Sequence, residues 1–165
     1  MLFRSGQTIS QPYIVALMTQ ALELDSQELK ILEIGTGSGF QAAVLAKFCR
    51  RIFTIERHKA LSDRARILLR DELGYQNIVF KVGDGTRGWQ QYAPFDRIVV
   101  TAGAPVVPES LVRQLTVGGR MVIPSGGRDG QKLELYIRKD EGTVERSVLC
   151  DVSFVPLVGE HGWKS

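Results

Sequence analysis

A glycine-rich turn behind a short apolar strand constrains this chain more than any other feature of its 165 residues. The strand predicted over Lys30 to Ile34 runs directly into Gly35-Thr36-Gly37-Ser38-Gly39, and an alanine-rich helix is expected behind the turn. Glycines at such a turn let the backbone bend sharply and approach a ligand without a Cβ in the way. The turn therefore predicts an α/β fold that binds a ligand at the carboxyl end of its first strand.

The rest of the chain alternates between predicted strands and helices as far as residue 123. Further strands are expected at 51–55, 78–82, 97–101 and 120–123, and further helices at 14–22, 61–73 and 109–115. This alternation is typical of a parallel sheet with right-handed crossovers, covered by helices on both faces. After Gly130 no helix fits, and strands at 132–138 and 147–155 are expected to form an antiparallel hairpin.

The expected fold is one Rossmann-like α/β domain over residues 1–165, with a doubly wound sheet of about seven strands, mostly parallel, and a C-terminal antiparallel hairpin. Within it we expect three parts. Residues 1–22 form an N-terminal segment and helix on the substrate side, residues 30–124 form the cofactor-binding core, and residues 131–157 form the C-terminal hairpin.

Two acidic positions lie where a ligand on the glycine turn would meet the next strands. Glu56 ends the second strand 21 positions after Gly35, and Asp84-Gly85 follows the third strand. Carboxyl ends of parallel strands bind ligands in open α/β sheets, and this spacing is that of a carboxylate on ribose hydroxyls in dinucleotide folds. A dehydrogenase is the main competing interpretation, but its G-x-G-x-x-G fingerprint requires glycine where this chain has Phe40.

Composition excludes several other classes of protein. The net charge of +3 is scattered along the chain, and no basic arm with interleaved aromatics predicts a nucleic-acid partner. No apolar run approaches the roughly 20 residues that a membrane span needs, and the first residues have no apolar signal-peptide core. Cys49 and Cys150 lie far apart without metal-ligand spacing, so we expect buried thiols in a reducing cytoplasm and no metal site. Oligomeric state stays open.

Seven short blocks resemble the protein-L-isoaspartate O-methyltransferase family of class I methyltransferases. They are Gly6-Gln7-Thr8-Ile9-Ser10-Gln11-Pro12, Gly83-Asp84-Gly85, Ala93-Pro94-Phe95-Asp96, Pro108-Glu109-Ser110-Leu111, Gln114-Leu115, Gly118-Gly119-Arg120 and Phe154-Val155-Pro156-Leu157. Each block alone is unspecific, but together they follow the family's order over nearly the whole chain. The G-x-G-x-G turn is similar to the superfamily's motif for S-adenosyl-L-methionine.

The resemblance implies a role for each cofactor-site residue. The turn from Gly35 to Gly39, with Thr36, Gly37 and Ser38, would lie against the methionine end and ribose of S-adenosyl-L-methionine. Glu56 would accept from both ribose hydroxyls, Arg57 would flank the adenine, and Asp84 and Gly85 would meet the adenine edge. For Glu33 two alternatives stay open: it bonds backbone amides of the turn, or it lines the cofactor site.

The resemblance also implies the reaction and its substrate side. The enzyme would be a protein-L-isoaspartate(D-aspartate) O-methyltransferase that methylates the free carboxylate of L-isoaspartyl residues in damaged proteins, initiates their repair and releases S-adenosyl-L-homocysteine; D-aspartyl residues are a second substrate class. Ser10 would be the catalytic position, and Thr8, Ile9, Val155 and Pro156 would bind substrate. Such a carboxylate has a pKa of about 3.5, so it is already an anion at neutral pH, and alignment matters more than a general base. Ser10 alternatively caps the following helix, with Pro12 in its first turn.

Two alternatives to this function stay open. One is a methyltransferase for another carboxyl group or a small molecule, and the other is a catalytically weak domain that only binds adenosylmethionine. Members of the family carry an N-terminal extension before the Gln-Thr-Ile-Ser segment, whereas only Met1 to Ser5 precede the Gly6 block here. We therefore expect this chain to fold and bind cofactor but to turn over isoaspartyl peptides more slowly than a version with the extension.

Overall fold

The computed structural model describes residues 10–164, which form seven strands and four α-helices. Strands β1 to β7 span Lys30–Ile34, Arg51–Glu56, Ile78–Val82, Phe95–Val100, Leu115–Gly127, Gly130–Arg138 and Val144–Val152. Helices α1 to α4 span Pro12–Ala21, Phe40–Leu45, Lys59–Arg66 and Glu109–Val112. A π-helical stretch, Ile67–Glu72, continues α3, and short 3₁₀ turns cover Gly85–Arg87 and Gln90–Tyr92. Among residues 10–164, none of the helices combines the length and the apolar composition that a membrane span requires.

All seven strands of the described chain form one sheet in the order β3-β2-β1-β4-β5-β6-β7. The first five are parallel, and β6 and β7 are added antiparallel at one edge. The chain runs outward from β1 to β3 and then returns to the other side of β1 with β4. The strand order thus reverses at β1, which makes its carboxyl end the topological switch point where such sheets bind ligands.

Residues of the central strands alternate between two apolar layers. In β1, Ile31 packs with α1 and α2 on one face, while Leu32 packs on the other face with Leu111 of α4. Both side chains are fully buried, as expected for a parallel sheet covered on both faces. The near-continuous apolar runs of the strands follow from this two-sided burial.

Two arginines fix the C-terminal end of α1 to the sheet. Arg120 donates to the Ala21 carbonyl over 2.9 Å, and the buried Arg97 donates to the carbonyls of Leu22 and Glu23. The last carbonyls of a helix lack partners within it, so these guanidinium groups satisfy them and favour the negative end of its dipole. The opposite end of α1 is thereby held beside the carboxyl ends of β1 and β2.

The sequence-based boundaries were wrong in the last third of the chain. Helix α4 ends at Val112 instead of residue 115, and β5 begins at Leu115 because this residue pairs with Phe95 across an irregularity in register. Strand β7 spans Val144–Val152 instead of 147–155. It starts earlier because Asp140 Oδ1 accepts from the amides of residues 142 and 143 and closes the hairpin turn. The chain leaves the sheet after residue 152, where Gln131 binds both backbone groups of residue 154.

Candidate active site

A cleft opens at the topological switch point, above the carboxyl ends of β1, β2 and β4. Its lining comes from the start of α1, the glycine turn, the end of β2, the end of β4 and the segment that follows β7. The residues are Ser10, Val15, Ile34, Gly35, Thr36, Gly37, Ser38, Phe40, Gln41, Ile55, Glu56, Arg57, His58, Leu61, Gly85, Thr101, Ala102, Val155, Pro156, Leu157 and Val158.

The glycine turn owes its shape to backbone that other residues rarely adopt. Gly35, Gly37 and Gly39 have φ of +93°, +52° and +85°. A Cβ on Gly35 would overlap the hydroxyl of Thr101, which donates to the Gly35 carbonyl over 2.6 Å. A Cβ on Gly39 would lie 2.7 Å from Leu69, so this glycine serves the packing of α2. The turn lies flat against the strand ends because these side chains are missing.

Glu56 joins the end of β2 to the glycine turn. Its Oε2 accepts from the Gly37 amide over 3.0 Å, and its Oε1 accepts from the His58 amide over 2.9 Å. The side chain is buried, yet it lines the cleft. Each carboxylate oxygen accepts from one backbone amide and has a second lone pair available. Glu56 therefore keeps acceptor capacity on both oxygens at the cleft while it fixes the turn.

Glu33 lies behind the turn and does not line the cleft. The Thr54 hydroxyl donates to its Oε2 over 2.5 Å, and the hydroxyls of Thr54 and Thr36 lie 2.6 Å apart. Both alternatives for Glu33 were therefore wrong: its partner is a hydroxyl, and the backbone amide of the turn is held by Glu56. Burial of the carboxyl, with a smaller contribution from nearby Glu56, raises the pKa of Glu33 to about 8 against the opposing Thr54 hydrogen bond.

Asp84 faces away from the cleft and binds the C-terminal segment, defined here as residues 153–164. Its Oδ1 accepts from the amide and hydroxyl of Thr86 over 2.9 and 2.7 Å, and its Oδ2 accepts from the Glu160 amide over 2.8 Å. Burial opposes ionisation here, but these hydrogen bonds outweigh it and hold the pKa of Asp84 below its usual value. Gly85, the other residue expected at the adenine edge, does line the cleft.

The C-terminal segment forms one wall of the cleft. Pro156 pairs with Gly103 beyond the end of β4, and Trp163 donates from its indole nitrogen to the Gly103 carbonyl over 3.0 Å. The amide of His161 donates to the Thr86 hydroxyl over 3.1 Å. Val155 and Pro156, expected to bind substrate, both line the cleft. Thr8 and Ile9, expected beside them, lie outside the described residues.

Ser10 lies at the cleft and does not cap α1. The residue before the helix is Gln11, which makes no side-chain cap hydrogen bond, and Pro12 occupies the first turn. Ser10 is half-buried and lines the cleft together with Val15 of α1. The capping alternative for Ser10 was therefore wrong, and its side chain is available to a ligand.

Comparisons with known proteins agree with this geometry. The family model described as Protein-L-isoaspartate(D-aspartate) O-methyltransferase matches residues 1–162. A protein-L-isoaspartate O-methyltransferase of Dictyoglomus thermophilum is 57% identical over 159 residues, covering 96% of this chain and 71% of the relative. The chain belongs to the protein-L-isoaspartate O-methyltransferase family.

Solved structures of this family share the fold. A protein-L-isoaspartate O-methyltransferase matches with a TM-score of 0.84 and 29% identity over 93% of this chain, which spans only 49% of that longer one. A Plasmodium falciparum protein of the same family name, crystallised with S-adenosyl-L-homocysteine, matches with a TM-score of 0.80 and 24% identity, covering 96% of this chain and 79% of that one. The predicted fold, family and O-methyltransferase class are confirmed, and membership of this family supports S-adenosyl-L-methionine as the methyl donor.

The structure brings most of the predicted site residues of this isoaspartyl methyltransferase family member into one cleft. Of the cofactor set, Gly39 and Asp84 lie outside the lining. Sequence reasoning missed Thr101, which directly follows β4 and was detectable by the same strand-end criterion as Glu56 at the end of β2. It also missed Gln41, the polar residue of the first turn of the alanine-rich helix α2.

Proposed function

We propose that this chain transfers the methyl group of S-adenosyl-L-methionine to the free carboxylate of L-isoaspartyl residues in proteins, with D-aspartyl residues as a second substrate class. One observation carries the proposal. The cleft at the switch point combines the glycine turn and Glu56 on one side with Ser10 and the Val155-Pro156 wall on the other. A donor and a peptide carboxylate can thus meet in one cleft.

The residues of the cleft suit the proposed cofactor. Glu56 offers acceptor positions to a pair of ribose hydroxyls. Among the described residues, none besides the chain neighbours of Gly37 comes within 4 Å of where its Cβ would stand. Gly85 keeps the wall beside Ile34 thin, since a Cβ there would overlap Ile34 Cγ2. When bound, S-adenosyl-L-methionine supplies an electrophilic methyl group on a sulfonium whose departing sulfur is neutral.

The protein's contribution to this reaction is alignment. The substrate carboxylate is an anion at neutral pH, so no side chain has to remove a proton from it. Ser10 orients the carboxylate through its hydroxyl, and the wall at Val155 and Pro156 holds the peptide backbone. Alignment of two reactants converts an encounter into an effectively unimolecular step and is worth several kcal/mol.

The proposal assigns a role to each part of the chain and names its partners and location. Residues 1–22 serve the substrate side, residues 30–124 bind the cofactor, and residues 131–157 complete the sheet and supply the wall. The partners are isoaspartyl peptides and proteins in the cytoplasm, without a nucleic-acid or membrane partner. Support comes from the scattered charge and from the positions of Ser10 and Pro156 at one cleft.

Two measurements test the proposal. Calorimetry with S-adenosyl-L-homocysteine tests the cofactor, and labelled methyl transfer to matched L-isoaspartyl, D-aspartyl and L-aspartyl peptides tests the substrate. We expect binding, transfer to the L-isoaspartyl peptide and none to the L-aspartyl peptide. Binding with equal transfer to both L-peptides would support a general carboxyl methyltransferase. Binding without transfer would support a non-catalytic domain, and absence of binding would overturn the cofactor assignment.

A further inference from the structure

A buried acceptor at the cleft lacks a partner within the described chain. Gln41, in the first turn of α2, is only 6% exposed, and its Oε1 accepts no hydrogen bond from residues 10–164. Gln41 nevertheless belongs to the lining of the cleft, together with Val15 of α1 and with Ser10, which precedes that helix. A buried polar atom without a partner costs free energy, so it calls for an explanation, and at a ligand-binding cleft a donor group of the ligand is one.

A short chain of hydrogen bonds fixes which end of the Gln41 amide faces its missing partner. The Thr19 hydroxyl donates its only hydrogen to the Val15 carbonyl over 2.7 Å. The hydroxyl oxygen is then an acceptor toward Gln41 Nε2, which lies 2.9 Å away. The amide nitrogen is thereby committed to Thr19, and Oε1 is left as a fixed acceptor that needs an N–H or O–H donor.

The strand order indicates which part of the cofactor would supply this donor. Glu56 ends β2 and Gly85 follows β3, so a nucleoside bound by these residues lies toward the β2–β3 side of the sheet. The amino-acid end of the same ligand then extends over β1 and β4, beside α1 and the start of α2. Gln41 lies at this end, and the strongest donor that adenosylmethionine carries there is its α-ammonium group.

We propose that Gln41 Oε1 binds the α-ammonium of the methionine moiety and that Gln41 is a positioning residue for the methyl donor. The inference rests on the proposed use of S-adenosyl-L-methionine. Thr19 fixes the orientation of the Gln41 side-chain amide, so α1 contributes to cofactor binding indirectly. The start of the same helix lies on the proposed substrate side. The other buried oxygen without a partner in the described chain, Glu33 Oε1, does not line the cleft and has no such role.

The test compares two ligands on the same protein by calorimetry. One is S-adenosyl-L-homocysteine, and the other is its analogue in which hydrogen replaces the α-ammonium group. In the variant Gln41→Met, affinity for the first should fall on the order of tenfold or more, while affinity for the analogue changes less than twofold. Gln20→Met, a change at an exposed glutamine of α1, should leave both affinities unchanged.

A second variant keeps the proposal testable if Gln41→Met does not fold. Gln41→Glu places a carboxylate opposite the ammonium, so the affinity ratio of S-adenosyl-L-homocysteine to the analogue should rise above that of the unaltered protein. An unchanged or lower ratio in this variant, or equal losses for both ligands in Gln41→Met, overturns the proposal. So does a rise in KM for the isoaspartyl peptide with unchanged binding of S-adenosyl-L-homocysteine, because the donor would then be a peptide amide.

Binding measured on the unaltered protein distinguishes failure of this inference from failure of the proposed function. If the unaltered chain does not bind S-adenosyl-L-homocysteine, the cofactor assignment itself has failed. If it binds that ligand more tightly than the analogue and Gln41→Met keeps the same preference, the cofactor assignment stands and only the role of Gln41 is wrong.

Discussion

Glu33 and Thr54 face each other across the paired strands β1 and β2, and the Thr54 hydroxyl donates to Glu33 Oε2 over 2.5 Å. This hydrogen bond does not compensate for complete burial, which raises the pKa of the Glu33 carboxyl to about 8. The folded protein therefore holds a proton on Glu33 at neutral pH, whereas the unfolded chain releases it near the ordinary glutamate pKa.

The first prediction concerns stability against pH. Because folding raises the pKa of Glu33, its contribution to stability is fully present below the unfolded pKa of 4.5 and is lost as pH rises through about 8. We expect this loss to be on the order of 1–3 kcal/mol between pH 5 and pH 8. Glu33→Gln, which cannot ionise, should flatten the dependence in urea unfolding measured across that range.

Glu134 provides the matched control for Glu33. It is also buried, but hydrogen bonds from Arg146 and Tyr136 outweigh burial and lower the pKa of its carboxyl. Its contribution is present above its unfolded pKa and is lost as pH falls, so Glu134→Gln should leave the decline from pH 5 to pH 8 in place. A Glu33→Gln protein with the decline of the unaltered chain would contradict the assignment of that proton to Glu33.

The second prediction concerns Glu56. In Glu56→Gln only one oxygen remains, so either the Gly37 or the His58 amide loses its acceptor and one position toward the ribose is lost. Affinity for S-adenosyl-L-homocysteine should fall by about 1–3 kcal/mol, measured by calorimetry. Asp63→Asn, at an acid on the surface of α3 paired with Lys59, is the control. Unchanged affinity in a folded Glu56→Gln protein would remove Glu56 from the cofactor site.

The third prediction assigns Asp84 to the C-terminal segment instead of the adenine. Asp84→Ala removes the acceptor of the Glu160 amide and of Thr86, and should destabilise the protein by about 1–3 kcal/mol. Amides of residues 157–163 should exchange hydrogen faster, and KM for the isoaspartyl peptide should rise because the wall at Pro156 loosens. Affinity for S-adenosyl-L-homocysteine should change less than for Glu56→Gln. Equal exchange in both proteins would show that the segment is held without Asp84.

Much of the fold follows from local sequence. The apolar strands, the glycine turn and the change of pattern after Gly130 can be recognised from adjacent residues. All seven strands were predicted, five of them in the parallel part of the sheet and two in the antiparallel hairpin. Their positions at strand ends likewise predicted that Gly35, Glu56 and Gly85 lie close together, and all three line the cleft.

What sequence did not predict depends on contacts between distant residues. Asp84 and Glu160 lie 76 positions apart, and no pattern at residue 84 indicates that its carboxylate turns toward the C-terminal segment. The orientation of Gln41 depends on Thr19, 22 positions earlier and on another helix. The end of β7 depends on Gln131 side-chain hydrogen bonds instead of on residues 153–155 themselves.

The fourth prediction tests the thin wall at Gly85. A Cβ at this position would overlap Ile34 Cγ2, and both residues line the cleft. Gly85→Ala should therefore displace Ile34 or the 3₁₀ turn, destabilise the protein by roughly 1–3 kcal/mol and weaken binding of S-adenosyl-L-homocysteine. Gly142→Ala is the control, because a Cβ there meets only Asp140 Oδ1 at 3.8 Å. If Gly85→Ala binds and unfolds as the unaltered protein does, the wall has room for a methyl group.

The fifth prediction concerns Ser10, whose hydroxyl is expected to orient the substrate carboxylate. Because Gln11 precedes α1 without a side-chain cap, Ser10→Ala should change the free energy of unfolding by less than about 0.5 kcal/mol. Turnover of an isoaspartyl peptide should nevertheless fall on the order of tenfold, with affinity for S-adenosyl-L-homocysteine nearly unchanged, since misalignment of reactants costs rate steeply. Ser10→Thr retains a hydroxyl and should recover part of the rate.

If Ser10 only orients the substrate and does not attack the methyl group itself, the variant Ser10→Cys should accumulate no methylated enzyme. A methyl group found on residue 10 by mass spectrometry during turnover would contradict this role.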